Sequence, residues 1–181
     1  MQTIILDPWE VLTAQYVASR LAAETAKQTD TFDYAGKSGL ESNEDNSLRV
    51  CLSEMAVAKA TGRYWSPRFW DSNLHTEMNA RFSDVSGGIG VRNVRSYRKP
   101  IAVKKKDLTC GDKFIVGTYL DLSEPHIVYT PGFLSVEEAW CVGIPDSSYK
   151  RVAWDRFKPL KVLHGSEIKD SVDSRSEREK E

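Results

Sequence analysis

The chain has 181 residues, of which 40% are hydrophobic and 28% charged, and its net charge is −1. That length fits one domain that buries a core without staples, and the near-neutral balance excludes a protein basic throughout. The scattered Cys51, Cys110 and Cys141, with His75, His126 and His164 equally dispersed, exclude zinc-ligand spacing and point to free thiols.

No apolar run approaches the roughly 20 residues of a membrane helix. No charged-then-apolar leader of signal-peptide type is present, so a cytoplasmic protein without a membrane partner is expected. After Ile4, Ile5 and Leu6 comes Asp7-Pro8-Trp9-Glu10. Asp at the N-cap, Pro at the first helical position and Glu at the third resemble a capping box. Leu12, Tyr16, Val17 and Leu21 then recur at helical spacing, which predicts a helix from about Pro8 to Lys27. Residues 28–47 are polar and read as a surface loop.

A second helix is predicted from about Ser47 to Thr61, with Leu48, Leu52, Met55, Ala56 and Lys59 on one side and Gly62 at its stop. The aromatic stretch from Tyr64 to Asp71 reads as a cap over a core edge, or as the wall of a substrate groove. From Asp84 the pattern changes to short strands: Asp84–Val85, Ile89–Val94, Ile101–Val103, Phe114–Leu120 and His126–Tyr129. Ser135-Val136-Glu137-Glu138 is a second capping box, opening a short helix through about Cys141. Val152–Leu163 fits either helix or strand. Residues 1–165 thus form the expected domain. Residues 166–181 carry only Ile168 and Val172 as aliphatics and form an expected polar, disordered tail.

Three pieces carry chemistry in this order. Glu54 lies on an apolar-faced helix, Asp84 stands before Gly87-Gly88, and Arg92 lies on the strand that follows. Carboxylates of this kind hold Mg²⁺ or Mn²⁺ for phosphodiester cleavage, and a basic residue stabilises the developing charge. Each also has a plainer reading: an exposed helix glutamate, an aspartate opening a turn, a surface cation.

The ordered set resembles the PD-(D/E)XK nuclease superfamily, in particular its small phage and mobile-element members. The residues carrying the resemblance are Glu54-Met55-Ala56-Val57-Ala58-Lys59, Asp84-Val85-Ser86-Gly87-Gly88, Ile89-Gly90-Val91-Arg92, Lys106-Asp107 and Phe133 to Ala139. The resemblance implies an α/β fold with a restriction-endonuclease-like core, a central mixed β-sheet flanked by helices. It implies a Mg²⁺-dependent DNA nuclease, with Glu54 and Asp84 as metal ligands and Glu54, Asp84 and Arg92 as the catalytic set.

The pattern departs from the superfamily at Gly90, where a carboxylate is usual. Glycine has no side chain to ligate, and Arg92 in place of Lys keeps a charge but cannot act as a neutral base. Restoring a carboxylate at Gly90 is expected to strengthen metal binding if the backbone there is ordinary strand. A glycine inside a strand also marks a bulge or a close backbone approach.

A separate signal runs from Arg92 to Lys106, where seven of fifteen residues are basic and none is acidic. Arg95, Arg98, Lys99, Lys104, Lys105 and Lys106, with Tyr97 among them, are expected to form a cationic rim on a hairpin that contacts DNA phosphates. The plain alternative is a solvated hairpin with edge-protecting lysines. Three functions follow: a metal-dependent endo- or exonuclease, an inactive nuclease-fold protein that binds nucleic acid or a host or phage protein, or a scaffold without a nucleic-acid role.

Overall fold

The computed structural model describes residues 1–27, 42–67, 82–97 and 99–160. Arg98, the segments 28–41 and 68–81, and residues 161–181, which hold the expected tail and the end of the Val152–Leu163 segment, lie outside the described residues.

Strand β1 (Gln2–Ile5) leads into helix α1 (Pro8–Lys27), which has the predicted limits. The capping reading holds, since the Asp7 N–H donates to Glu10 Oε2 at 2.6 Å. Lys59, at the end of helix α2 (Asn43–Thr61), reaches Asp7 Oδ2 and Glu10 Oε2 at 2.7 Å each and fastens the two helices. Helix α2 starts earlier than predicted because Ser42 is the N-cap: its Oγ accepts the Asp45 N–H at 3.0 Å. Glu44 and Asp45 in the first turn complement the positive helix end, and Gly62, at φ 62°, closes the other end in the left-handed conformation.

Of the apolar residues at helical spacing on α1, Val17 is buried, while Leu12 and Tyr16 are exposed. The inward face is built from Ala14, Ala18 and Ala22 with Val17, small side chains that let α1 lie close to its neighbours.

Strands β2 (Ile89–Val94), β4 (Phe114–Tyr119) and β5 (Ile127–Ser135) complete a sheet with β1, in the order β1-β5-β4-β2. β2 and β4 run parallel, and the other pairs are antiparallel. The fold is therefore α/β with a mixed central sheet. A second, antiparallel sheet has the order β3-β7-β6, from β3 (Ile101–Lys104), β6 (Ile144–Asp146) and β7 (Tyr149–Val152). Helix α3 (Val136–Val142) begins at the predicted cap, where Ser135 Oγ accepts the Glu138 N–H at 3.1 Å.

Two further findings differ from the expectations. Asp84–Val85 forms no strand, only single bridges from Val85 to Trp65 and Ile89. The hairpin expected across residues 92–106 also does not form. β2 ends at the edge of the first sheet, and β3 begins the edge of the second. The polypeptide changes sheets within the basic stretch.

The sheets separate two cores. Ile4, Val17, Leu52, Val57, Val91, Val116, Val128 and Phe133 pack between the helices and one face of the mixed sheet. Ile101, Val103, Ile115, Leu134, Val136, Val152 and Phe157 pack between the other face, the small sheet and α3. The mixed sheet thus has long helices on one face and mostly a second sheet on the other. Each wholly buried residue such as Leu52 or Val116 contributes about 1.5–3 kcal/mol relative to exposure.

Candidate functional site

Alternation along β2 sends Ile89 and Val91 into the helix-side core, so Gly90 and Arg92 share the opposite face. Asp84 is held beside them by the bridges of Val85 to Trp65 and Ile89. Its Oδ2 accepts the Val91 N–H at 2.7 Å and lies 3.3 Å from Arg92 Nη1. Asp84 and Arg92, expected to meet, do so.

Arg92 meets two further carboxylates. Its Nη2 lies 3.0 Å from Asp107 Oδ1 and 3.2 Å from Asp112 Oδ2. Asp107 is placed by the short turn after β3, where its Oδ2 accepts the Lys104 N–H at 2.8 Å. Asp112 stands just before β4, the parallel neighbour of β2. The side chains of Asp107, Asp112 and Asp84 are 1%, 8% and 14% exposed, and that of Arg92 is 24% exposed. Burial alone disfavours the charge on Arg92. The three aspartates outweigh it and hold the guanidinium protonated, well above its ordinary value.

The space beside Gly90 explains the missing side chain. A Cβ built there would lie 2.2 Å from Asp112 Oδ2 and 2.7 Å from Asp112 Cγ. Gly90 is therefore the close approach that a glycine in a strand can mark, and the intruding group is a carboxylate from the next strand. That space is filled, so a carboxylate at Gly90 would first have to displace Asp112, although φ at Gly90 is not positive.

The donor set does not fit Mg²⁺ or Mn²⁺. Asp107 spends both oxygens, one on Arg92 and one on the Lys104 N–H. Asp84 Oδ2 serves Val91 and Arg92, and Asp112 Oδ2 serves Arg92. Among the described residues, no group of three or more His, Cys, Asp or Glu is placed to hold a metal ion. Glu54, the expected second ligand, accepts the Trp65 indole N–H at 2.9 Å through Oε2. Trp65 is buried and bridges Val85, so it ties the helix glutamate to the turn that carries Asp84.

The basic residues fall into two groups. Lys104, Lys105 and Lys106 are exposed on the turn that delivers Asp107, beside the aspartates. Although Lys104 is exposed, partial loss of water around its ammonium lowers it below its ordinary value, and repulsion from Lys106 and Arg92 adds to this. Arg95 and Lys99 lie beyond the end of β2, and the Lys99 carbonyl accepts the Trp154 indole N–H at 2.8 Å. Arg98 lies outside the described residues. Asp112 escaped the sequence reading, Trp65 entered it only within the aromatic stretch from Tyr64 to Asp71, and Asp107 only as part of a turn. The signals for them were Gly111-Asp112 opening a strand and an aspartate three residues beyond Lys104.

Among the described residues, no helix is long and apolar enough to cross a membrane. Comparison with protein-family models, with curated proteins and with solved structures finds no match.

Proposed function

We propose that this protein binds DNA through a nuclease-like, restriction-endonuclease-type scaffold whose cleavage chemistry has been lost. One observation carries the reading: Arg92 is ion-paired with Asp84, the aspartate that the resemblance implies as a metal ligand, and with Asp107 and Asp112. A guanidinium neutralises carboxylates permanently, yet it cannot activate water as a bound metal ion does. Lys104, Lys105 and Lys106 are then the phosphate contacts, displayed on a turn fixed by Asp107.

The test measures cleavage and binding together, on labelled single-stranded and duplex DNA with Mg²⁺ or Mn²⁺ present. Salt-sensitive binding without cleavage is expected. Replacing Lys104, Lys105 and Lys106 by Ser should weaken binding at low salt. Each lost contact should flatten the dependence of log K on log salt by roughly 0.7–0.9. Cleavage abolished by Asp84→Asn would restore the metal-dependent nuclease reading. Absence of binding even at low salt would leave a role in binding a host or phage protein.

A further inference from the structure

Strand β1 is an outer strand of the mixed sheet and pairs on one side only, with β5. The Leu6 N–H donates to the His126 carbonyl at 2.8 Å. The alternation of an antiparallel pair then turns the N–H and C=O of Ile4 and Gln2 toward β5 as well, and those of Thr3 and Ile5 outward along the free edge. Edge strands are commonly guarded by charges, prolines or bulges. The other edges of the two sheets have such guards. β2 gives its Val91 N–H to Asp84 and is bridged at Ile89 by Val85, β6 contains Pro145 and Asp146, and β3 ends in Lys104. β1 reads Gln2-Thr3-Ile4-Ile5, with no charge, no proline and an unbroken register.

Apolar side chains flank this edge in water. Met1, Ile5, Trp9, Leu12 and Tyr16 are each at least 63% exposed, and among the other described residues only Tyr64 and Ile144 match them. Trp9, Leu12 and Tyr16 form one stripe of α1, opposite the buried Ala14, Val17 and Ala18. Arg20 is the one charged side chain among the exposed described residues of that helix. Only Leu6 and Asp7 separate β1 from α1, so the first turn of α1, with Trp9, stands at the end of the edge strand. Ile4 and Leu6 point into the helix-side core, so Ile5 stands on the opposite face of the sheet. The open edge is thus flanked on both faces, by Ile5 on one and by the start of α1 on the other.

We infer that a second copy of this chain docks at this edge, β1 against β1 and antiparallel, joining the two mixed sheets into one. The strand is self-complementary about Ile4. A twofold axis there sets Thr3 opposite the partner's Ile5, and both residues direct their N–H and C=O outward, so each such pair exchanges hydrogen bonds in both directions. Because β1 is short, the axis passes close to the start of both α1 helices, where Trp9 leads the exposed stripe. Together Met1, Ile5, Trp9, Leu12 and Tyr16 expose roughly 500–700 Å² per copy, and a standard interface takes about 800 Å² from each partner. The main chain of β1 supplies the remainder. Association of this kind is independent of whether the protein binds DNA.

Sedimentation equilibrium of the full chain over a concentration series tests this, and a dimer of the 20.4 kDa chain is expected. Thr3→Pro removes an outward N–H and no bond to β5, so the fold should stay while the dimer dissociation constant rises at least about tenfold. Ile5→Lys puts a charge on the edge and should weaken the dimer by another route. Trp9→Lys should weaken it too, whereas Ile144→Lys, at a comparably exposed residue of β6, should leave it unchanged. Far-ultraviolet circular dichroism of each variant checks that the fold is kept. Amide exchange in the wild type needs no variant: the Thr3 and Ile5 N–H groups should exchange more slowly as concentration rises. A monomeric wild type at the highest soluble concentration overturns the inference. So does a dimer equally tight in Thr3→Pro and Ile5→Lys, one dissociated by Ile144→Lys instead, or exchange at Thr3 and Ile5 that ignores concentration.

Discussion

Replacing Gly90 puts the reading of the Arg92 cluster to its most direct test. In a nuclease-like chain with an empty motif position, Gly90→Glu would restore a ligand. Here a Cβ alone would sit 2.2 Å from Asp112 Oδ2, and Arg92 Nη1 would be 3.2 Å away. Even Gly90→Ala therefore has to expel the Asp112 carboxylate, which is 8% exposed and paired with Arg92. Breaking a buried ion pair costs about 3–5 kcal/mol, and the partial exposure of Arg92 reduces this to about 2–4 kcal/mol. For a chain of this size, 1 kcal/mol shifts Tm by about 2–4 °C, so Gly90→Ala should melt some 5–15 °C low. Gly90→Glu should fall further, since it adds a negative charge to three aspartates sharing one arginine. Thermal melts by circular dichroism measure both. Asp112→Ser removes the obstructing carboxylate, so Gly90→Ala should cost much less in that background. If Gly90→Ala melts like the wild type, or if Gly90→Glu gains Mg²⁺ affinity without loss of stability, the steric reasoning is wrong.

Three further outcomes follow from the same geometry. Arg92→Met leaves three partly buried carboxylates without their shared cation and should destabilise by about 3–5 kcal/mol; adding Asp107→Asn should recover part of the loss, and additive effects in urea melts would refute the coupling. Lys59→Met should cost about 1–2 kcal/mol at neutral pH, where charge-assisted bonds to Asp7 and Glu10 are lost. Those bonds raise the Lys59 ammonium above its ordinary value, so its contribution is complete below about pH 10.4 and declines as pH rises through the raised value; the gap between wild type and variant should close in alkaline melts. Cys141 is exposed and should alkylate in the native protein, whereas Cys51, buried and with its thiol pushed up by burial and by Glu54, should react only on unfolding, as mass spectrometry after iodoacetamide treatment would read.

What could be read in advance tracks the range of the interactions. Helix α1 was legible to the residue because Asp7, Pro8 and Glu10 act within one turn. The start of α2 was hidden because Ser42 sits inside a polar run whose composition matches a loop. The β6–β7 hairpin was missed since its strands are short, Pro145 interrupts one, and the turn uses Ser147 at φ 55° where glycine or asparagine is the usual signal. In the site, Asp84 and Arg92 are close in the chain and were visible as a pair. Asp112 was not, because its approach to Gly90 depends on β2 lying parallel to β4. That pairing joins segments separated by a crossover and leaves no local pattern.

The identity of the cation explains why Arg92 and Gly90 go together. A carboxylate on Gly90 would need the space that Asp112 fills, and Asp112 fills it because Arg92 gives it a fixed partner. A metal ion in that place would be exchangeable and would depend on pH through its ligands. The guanidinium is covalently attached, carries donors that satisfy several oxygens at once, and stays charged across the physiological range. The cluster therefore works as a rivet joining the turn at Asp84, β2, the turn after β3 and the approach to β4, the four segments that carry its aspartates and arginine. That rivet also sets the position of Lys104, Lys105 and Lys106, because Asp107 caps their turn while holding Arg92. A lysine at position 92 would keep the charge but lose the fork that reaches three carboxylates. Arg92→Lys should thus lower stability and loosen the lysine turn, with faster amide exchange at residues 104–108 than at β4. Unchanged exchange there would separate the ion-pair cluster from the surface it is argued to support.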